Sequence, residues 1–241
     1  METHKKQRKI IQMFDDIAPT YDKANHILSM GIDISWRKKA CDKTYELMHM
    51  KKEVGLIVDV ACGTGDMIGF WHKRAKKKDI NIKRVLGVDP SSKMLSFAEV
   101  KFPDFDFAKA EAVDLPLPNA CADILSISYG IRNVIERQKA FKEFARVVKK
   151  GGFVVILEFT KSDKKSIFNS LKQIYLHKIL PFLGALISKN YEAYKYLPDS
   201  IEGFLTASTL QDELKDAGFK MEYVKSFSFD ISTLLIAKKC L

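Results

Sequence analysis

Apolar residues along the chain form short runs of strand length, separated by longer stretches in which they recur at helical spacing. The stretch 137–148, for example, places its apolar residues on one stripe of a helix. Strands that alternate with helices imply a parallel sheet with right-handed crossovers. We expect five such strands, at 56–61, 84–88, 105–108, 122–128 and 153–157.

Two of the predicted helices carry signals at their ends. Ser91 or Ser92 is placed to cap the helix that follows the second strand and runs to residue 100. Gly151 and Gly152 are expected to end the helix that begins at residue 137, because glycine favours helix termination.

The pattern changes after Glu158. The stretch 161–189 is basic, apolar and helical in character, and a further helix is expected at 210–217. Two strands follow at about 219–227 and 231–237. They are joined too closely for a crossover helix, so we expect them to pair antiparallel.

The length of 241 residues suits one domain, and an apolar fraction of 46% can supply its core. No window reaches the ~18–20 apolar residues that a spanning helix needs. The basic stretch 1–9 leads into no apolar secretion segment, which predicts a cytoplasmic protein. The four cysteines include no C-x-x-C pair, so neither a zinc site nor a disulfide framework is expected.

The net charge of +10 favours an anionic partner, either nucleic acid or an acidic membrane surface. A generally lysine-rich composition with no such partner explains the charge equally well. The basic run 72–78 is the solvated end of a predicted helix rather than a binding motif.

A glycine loop follows the first predicted strand, at the edge where open parallel sheets bind ligands. Gly63-Thr64-Gly65 lets the backbone approach a ligand closely, and a helix over 66–77 follows it. Asp89 ends the next strand roughly 20 residues on, the spacing of a carboxylate that holds ribose hydroxyls. The loop is therefore a candidate nucleoside-binding site.

The charges around this loop separate two cofactor classes. A dinucleotide needs glycine or alanine where Ile68 stands, and Asp66 would repel its pyrophosphate. Asp59 and Asp66 instead suit a cation with an amino-acid head group, which favours S-adenosylmethionine. A plain strand-to-helix turn is the alternative without a ligand. Tyr191 and Lys195 have the spacing of a short-chain dehydrogenase pair but follow the fifth strand, which argues against that class.

The chain resembles the class I methyltransferases, and among them the family that C-methylates demethylmenaquinone and the ubiquinone precursor. The resemblance covers nearly the whole chain, in blocks that keep the family's order. These are 14–22 (FDDIAPTYD) continuing through Asn25 to Trp36-Arg37, 59–66 (DVACGTGD), 126–134 (SISYGIRNV), 146–152 (RVVKKGG) with 157–161 (LEFTK), and 194–201 (YKYLPDSI).

This resemblance implies an α/β fold with a Rossmann-like sheet of seven strands, the last one antiparallel. It implies an N-terminal helical lid over 1–50 and an S-adenosylmethionine-binding domain over 51–241. A helical insert follows strand five, at about 161–205, and the whole chain forms one structural domain.

The resemblance also implies cofactor contacts, with S-adenosylmethionine as methyl donor, S-adenosylhomocysteine as product and no metal. The contacts carried over from the family are Thr64, Asp89, Glu111, Ala112 and Ser128. The backbone and charge arguments add Asp59, Gly63 and Gly65. Some positions depart from the family pattern, notably Asp33 where histidine is common and Glu111 where Asn or Asp is usual.

The implied reaction is C-methylation of demethylmenaquinol to menaquinol. A dual role that includes 2-methoxy-6-polyprenyl-1,4-benzoquinol is left open. A ring carbon becomes nucleophilic when the neighbouring hydroxyl loses its proton, so a base or a cation beside it helps. We expect Arg132 to stabilise the quinolate or activate a water, and Asn133 to orient the substrate. The alternative is that Arg132 pairs with Glu158 or an aspartate to hold loops.

Three tyrosines, Tyr21, Tyr129 and Tyr196, are candidates for the substrate pocket or its lid, with core packing as the alternative. His26 is a further candidate base, although a lone histidine is usually structural.

A prenylated acceptor lies in the bilayer, so we expect peripheral contact with the inner face of the cytoplasmic membrane. The stretch 166–180 has apolar residues at helical spacing and several lysines, which suits an interfacial helix. Packing on the sheet, or on a second subunit of a homodimer, is the alternative.

Two rival functions fit the sequence less well. A base amino-methylase carries an Asn/Asp-Pro-Pro-aromatic motif after strand four, whereas this chain has 128–131 (SYGI) there and no Pro-Pro pair. We therefore expect no nucleic-acid partner. A non-catalytic cofactor-binding protein is the second rival, and the intact loop with Asp89 argues against it.

Overall fold

A mixed β-sheet forms the centre of the protein in the computed structural model, which describes residues 2–49, 51–161, 191–228 and 230–240. Its seven strands lie in the order β3-β2-β1-β4-β5-β7-β6. They are β1 (Glu53–Val60), β2 (Asn81–Asp89), β3 (Asp106–Lys109), β4 (Ala122–Ser128), β5 (Val148–Phe159), β6 (Phe219–Phe227) and β7 (Ser232–Lys239).

Three helices precede the sheet, three lie between its first five strands, and two described helices stand before β6. They are α1 (Glu2–Ile17), α2 (Tyr21–Leu28), α3 (Ile32–Leu47), α4 (Asp66–Lys77), α5 (Ser92–Lys101), α6 (Arg137–Val147), α7 (Tyr191–Glu202) and α8 (Ala207–Asp216). Ser91 caps α5 by accepting a hydrogen bond from the Met94 N–H, as the sequence predicts.

Strands β1 to β5 pair parallel, and β7 pairs antiparallel with both β5 and β6. The predicted sheet of seven strands, with its last strand antiparallel, is therefore confirmed. The carboxyl ends of β1, β2 and β4 meet at one edge of this sheet, which is where the glycine loop lies.

Helices cover both faces of the sheet, which explains why β1 is apolar on both sides rather than alternating. On one face, α6 and α8 bury Phe141, Phe144 and Leu210 against the strands. On the other face, α3 and α4 bury Tyr45 and Trp71. These two layers hold the edge that carries the site.

The predicted boundary between α6 and β5 is wrong. Gly151 and Gly152 do not end the helix, because α6 ends at Val147 and β5 begins directly at Val148. Gly151 has a left-handed φ of 76° inside the strand, and the pairing register shifts between Ala122 and Ile124. The glycines thus accommodate an irregularity in the strand.

The predicted interfacial helix at 166–180 lies outside the described residues, as does most of the insert at 161–205. In the part of the chain that the structure describes, no helix is long and apolar enough to cross a membrane.

Candidate active site

The glycine loop turns sharply between β1 and α4. Ala61, Gly63 and Gly65 have φ angles of 50°, 56° and 84°, all in the left-handed region. A Cβ atom on Gly65 would lie 2.9 Å from the Phe102 ring, so this position requires glycine for two independent reasons. The loop thereby leaves the Gly63 backbone at the edge of a cleft.

The cleft encloses about 890 Å³, part of it open to solvent, above the carboxyl ends of β1, β2 and β4. It brings together many of the residues predicted from the sequence, both for the cofactor and for the acceptor. The predicted residues that line it are Tyr21, Gly63, Asp89, Glu111, Ala112, Ser128, Tyr129 and Asn133.

Asp89 fixes the glycine loop against the start of α5. Its carboxylate accepts hydrogen bonds from the backbone N–H groups of Gly63 and Ser91, each at 2.8 Å. Burial raises the pKa of Asp89 to about 6, and the two N–H donors oppose part of that rise. An ionised Asp89 therefore has to be stabilised by donors in the cleft.

Three predicted cofactor contacts do not line the cleft. Asp59 is 1% exposed behind the loop, where it accepts a hydrogen bond of 2.6 Å from the Ser126 hydroxyl. Burial raises the pKa of Asp59 to about 7. Thr64 donates its hydroxyl to the carboxylate of Asp22 on α2, and Gly65 packs against Phe102. Their predicted contacts with a cofactor stay predictions.

Helix α1 forms the roof of the cleft, where Gln7, Ile10 and Phe14 line the interior. Three long-range hydrogen bonds fix it, one of which runs from the Lys93 N–H to Asp15 at 3.3 Å. The Gln7 side chain accepts from the Ile135 N–H at 3.1 Å, and Asp15 accepts from the Ser91 hydroxyl at 2.5 Å. The roof is thus held to loops that follow β2 and β4.

Ser128 offers a test of whether the cleft fits a ligand. Its hydroxyl is buried at the cleft wall and meets no hydrogen-bond partner among the described residues. A buried polar group without a partner is unfavourable, so a ligand with a polar group at this wall would satisfy it. Together with the Asp89 carboxylate, this group fits the polar nucleoside expected from the sequence.

Replacing Ser128 with alanine is expected to leave the free energy of unfolding unchanged or raised by up to about 1 kcal/mol, because an unsatisfied hydroxyl is removed. Binding of S-adenosylhomocysteine is expected to weaken about fivefold to tenfold through the loss of one hydrogen bond. Urea unfolding and titration calorimetry measure the two effects.

The matched control is Ser126→Ala. Ser126 donates to Asp59 and accepts from the Trp71 indole at 2.9 Å, so its loss should lower stability. If Ser128→Ala bound S-adenosylhomocysteine as tightly as the wild type, Ser128 would not be a cofactor contact.

A second cavity, of about 1330 Å³ and partly open to solvent, adjoins the first and is walled mostly by apolar side chains. Phe14, Tyr21 and Tyr129 line both cavities and so form their common boundary. Burial raises the pKa of Tyr21 and Tyr129, which keeps both phenols neutral near pH 7. Two sites that share a wall can hold a donor and an acceptor side by side.

Arg132 lies in the wall of the second cavity, which also carries the charged residues Asp33 and Arg37. Its Nη1 atom donates to the Glu158 carboxylate and to the Tyr129 carbonyl oxygen, each at 2.6 Å. Glu158 is fully buried, and burial raises its pKa despite the opposing charge of Arg132. The pairing with Glu158 foreseen as the alternative is therefore present, and it holds the guanidinium at the cavity.

Asn133 connects the two cavities. It lines the first cavity, and its side-chain oxygen accepts a hydrogen bond of 3.0 Å from the Tyr196 hydroxyl, which lines the second. The Tyr196 hydroxyl thus lies beside Arg132 and Asn133, next to the wall shared by the two sites.

A polar cluster inside the second cavity was not predicted as a unit. Asp33 is buried, accepts the Ser29 hydroxyl at 2.6 Å, and lies 3.4 Å from His26 Nδ1 and 3.5 Å from Arg37 Nε. The Arg37 guanidinium lies 5.1 Å from the centre of the Tyr129 ring. The block ending in Trp36-Arg37 was the available signal, but no role for Arg37 follows from the sequence alone.

Comparison with known proteins agrees with this geometry. A profile of the ubiE/COQ5 methyltransferase family matches residues 1–239. The chain belongs to this family. It is therefore a methyltransferase that uses S-adenosylmethionine, and the predicted membership is confirmed.

Individual relatives cover almost the whole chain. The "Ubiquinone/menaquinone biosynthesis C-methyltransferase UbiE" of Campylobacter jejuni subsp. jejuni is 56% identical over 234 residues, 97% of this chain and 99% of that protein. The "Demethylmenaquinone methyltransferase" of Chlorobaculum tepidum is 36% identical over 235 residues, 98% and 94% of the two chains.

Solved structures share the fold. An S-adenosylmethionine-dependent methyltransferase from Mesorhizobium loti matches with a TM-score of 0.56 and 22% identity, covering 80% of this chain and 96% of that one. Within this fold, the first cavity occupies the edge of the sheet at which parallel α/β proteins bind ligands.

Proposed function

We propose that this methyltransferase transfers the methyl group to a ring carbon of a prenylated quinol, converting demethylmenaquinol to menaquinol. The observation that carries the proposal is the large apolar cavity that shares Tyr21 and Tyr129 with the cofactor cleft. An aromatic ring with the start of an isoprenoid tail has the apolar character that this cavity can bury. Demethylmenaquinone appears in the name of the Chlorobaculum relative, which supports the same acceptor.

The residues of the cofactor cleft fit S-adenosylmethionine, which supplies an electrophilic methyl group when bound. Asp89 would accept hydrogen bonds from the ribose hydroxyl groups, and the Ser128 hydroxyl would gain the hydrogen-bond partner that it lacks. Glu111 and Ala112 line the same cleft after β3 and would lie against the adenine. Helix α1 would cover the bound molecule and keep water from the reacting atoms.

Arg132 would act on the acceptor rather than on the cofactor. A fixed cation at the wall of an apolar cavity stabilises a phenolate strongly, because the surroundings screen charge weakly. Asn133 and Tyr196 would hold the ring with its reactive carbon toward the shared wall. Asp33 and Arg37, which line the cavity, would serve a polar substituent at another part of the ring, such as its second hydroxyl. His26 contacts Asp33 and would help to hold it.

A second candidate function is dual use, with 2-methoxy-6-polyprenyl-1,4-benzoquinol as a further acceptor in ubiquinone biosynthesis. The 56% identity to a relative named for both ubiquinone and menaquinone biosynthesis favours it. We further propose that the protein works at the cytoplasmic side of the membrane, in peripheral contact with its anionic surface, because a prenyl tail keeps the acceptor in the bilayer.

Deleting the gene in its host and profiling the quinones by mass spectrometry tests this proposal. Accumulation of demethylmenaquinone alone supports the single role. Additional accumulation of a demethylated ubiquinone precursor supports the dual role. An unchanged quinone profile would refute both.

A further inference from the structure

Three large apolar side chains are exposed together at the turn between α2 and α3. Met30 is 77% exposed, Ile27 is 49% exposed and Ile32 is 40% exposed. The segment, which we call the 27–32 turn, runs from the end of α2 to the first residue of α3 and presents them within six successive residues. A cluster of exposed apolar side chains is unfavourable in water, so its position needs an explanation.

The backbone at Met30 adds an independent observation. Its φ angle is 51°, in the left-handed region where asparagine, aspartate and glycine are favoured. Methionine does not favour this backbone conformation, and its side chain is not buried here, so neither property explains a methionine at this position. Strain of this kind commonly marks a position under functional constraint.

The exposed turn is also the rim of the acceptor cavity. Met30 and Ile32 both line that cavity while much of each side chain faces solvent. A lining residue that is mostly exposed marks where a cavity opens. The apolar interior therefore continues through this rim to the protein surface.

Charges around the turn complement an anionic surface. Lys23 is exposed four residues before Ile27 on α2, and Lys39 is exposed seven residues after Ile32 on α3, so each lysine shares a helix face with an apolar residue. Two carboxylates close to the turn in sequence are neutralised or buried. Asp22 pairs with Lys101 at 2.9 Å, and Asp33 lies inside the cavity.

We infer that the 27–32 turn inserts into the headgroup region of an anionic lipid bilayer and opens the acceptor cavity toward the acyl chains. The inference rests on the proposed prenylated acceptor, whose tail would enter the cavity at this rim without crossing water. Apolar side chains flanked by lysines, on a protein of net charge +10, match a lipid surface better than a second copy of the same basic chain.

Insertion is tested with vesicles of phosphatidylcholine and phosphatidylglycerol in equal parts, made with brominated lipid. Met30→Trp should show strong quenching of the added tryptophan, whereas Val100→Trp should show none. Val100 on α5 is 83% exposed, which makes it a matched apolar position away from the cavity. The wild-type signal from Trp36 and Trp71, both buried, is subtracted.

Affinity for the same vesicles gives the second measurement. Met30→Asn should bind about tenfold more weakly, because one apolar anchor is lost. Its thermal stability should be equal or higher, since asparagine tolerates the left-handed conformation. Val100→Gln should bind like the wild type. Absence of wild-type binding, equal quenching at both positions, or unchanged affinity in Met30→Asn would overturn the inference.

Ile27→Gln separates this inference from the proposed function, because Ile27 lies outside the residues that line the cavity. We expect weaker vesicle binding and slower methylation of a long-chain acceptor in vesicles, with wild-type turnover of a soluble short-chain demethylmenaquinol. Equal slowing on both acceptors would count against docking. Failure of the wild type on the short-chain acceptor would refute the function while leaving the quenching result interpretable.

Discussion

Replacing Arg132 with alanine is expected to lower the free energy of unfolding by about 3–5 kcal/mol and to slow methyl transfer by about 100- to 1000-fold. The stability loss follows from the Glu158 carboxylate, which is fully buried and would lose its charged partner. The rate loss follows from removing the cation at the acceptor cavity. Urea unfolding and single-turnover kinetics at saturating cofactor measure the two effects.

The double variant Arg132→Ala/Glu158→Gln separates the two roles of Arg132. It removes the buried charge but keeps an acceptor for the Phe159 N–H, which bonds Glu158 at 2.8 Å. We expect it to regain much of the lost stability and none of the lost rate. If rate and stability recovered together, or if Arg132→Ala turned over like the wild type, Arg132 would be a structural residue only.

Replacing Asp89 with alanine is expected to weaken binding of S-adenosylhomocysteine by about 100- to 1000-fold, equivalent to about 3–4 kcal/mol for hydrogen bonds to a charged acceptor. It would also leave the N–H groups of Gly63 and Ser91 without their acceptor. Asp89→Asn should weaken binding by a similar factor. The N–H groups of Gly63 and Ser91 bond different oxygens of the carboxylate, and an amide has only one oxygen to offer them. Titration calorimetry measures the loss.

Ionisation of Asp89 as the pH rises is expected to lower the stability of the fold but to raise the affinity for the cofactor. Its folded pKa is about 6, above the ordinary value of 3.8, so its contribution to stability is present below 3.8 and is lost as the pH rises through about 6. Binding needs the ionised carboxylate, so affinity should rise about tenfold between about pH 5 and about pH 7.

Asp89→Asn should abolish most of this pH dependence of binding. Asp59→Asn should preserve it, because Asp59 is not in the cleft although burial raises its pKa to about 7. Affinity that is flat between about pH 5 and about pH 7 in the wild type would contradict the assignment of Asp89 as the ionised acceptor.

Local sequence signals predicted most of the fold. The apolar runs located the parallel strands, and Ser91 caps α5 as expected, because these features depend on neighbouring residues. The prediction of the α6–β5 boundary was wrong because glycine at position 152 is required by a contact with a residue distant in sequence. A Cβ atom there would lie 2.9 Å from the Asp123 carbonyl oxygen on the neighbouring strand.

Local sequence signals predicted only those residues of the candidate site that lie in the glycine loop or near the end of a strand. Asp89 and Ser128 end their strands, Asn133 follows soon after β4, and the structure brings all three to one cleft. The hydrogen bond between Thr64 and Asp22 joins residues 42 positions apart, and no rule of sequence spacing predicts it. The acceptor cavity likewise combines side chains from helices and loops that are distant in sequence, so its shape required tertiary structure.

The most direct test of the proposed reaction incubates the purified protein with methyl-labelled S-adenosylmethionine and a short-chain demethylmenaquinol, with RNA and DNA in parallel reactions. We expect one labelled methyl group per quinol, shown by NMR to be bonded to a ring carbon, and no label in either nucleic acid. Label in RNA or DNA with none in the quinol, or label on a quinol oxygen, would contradict the proposed reaction.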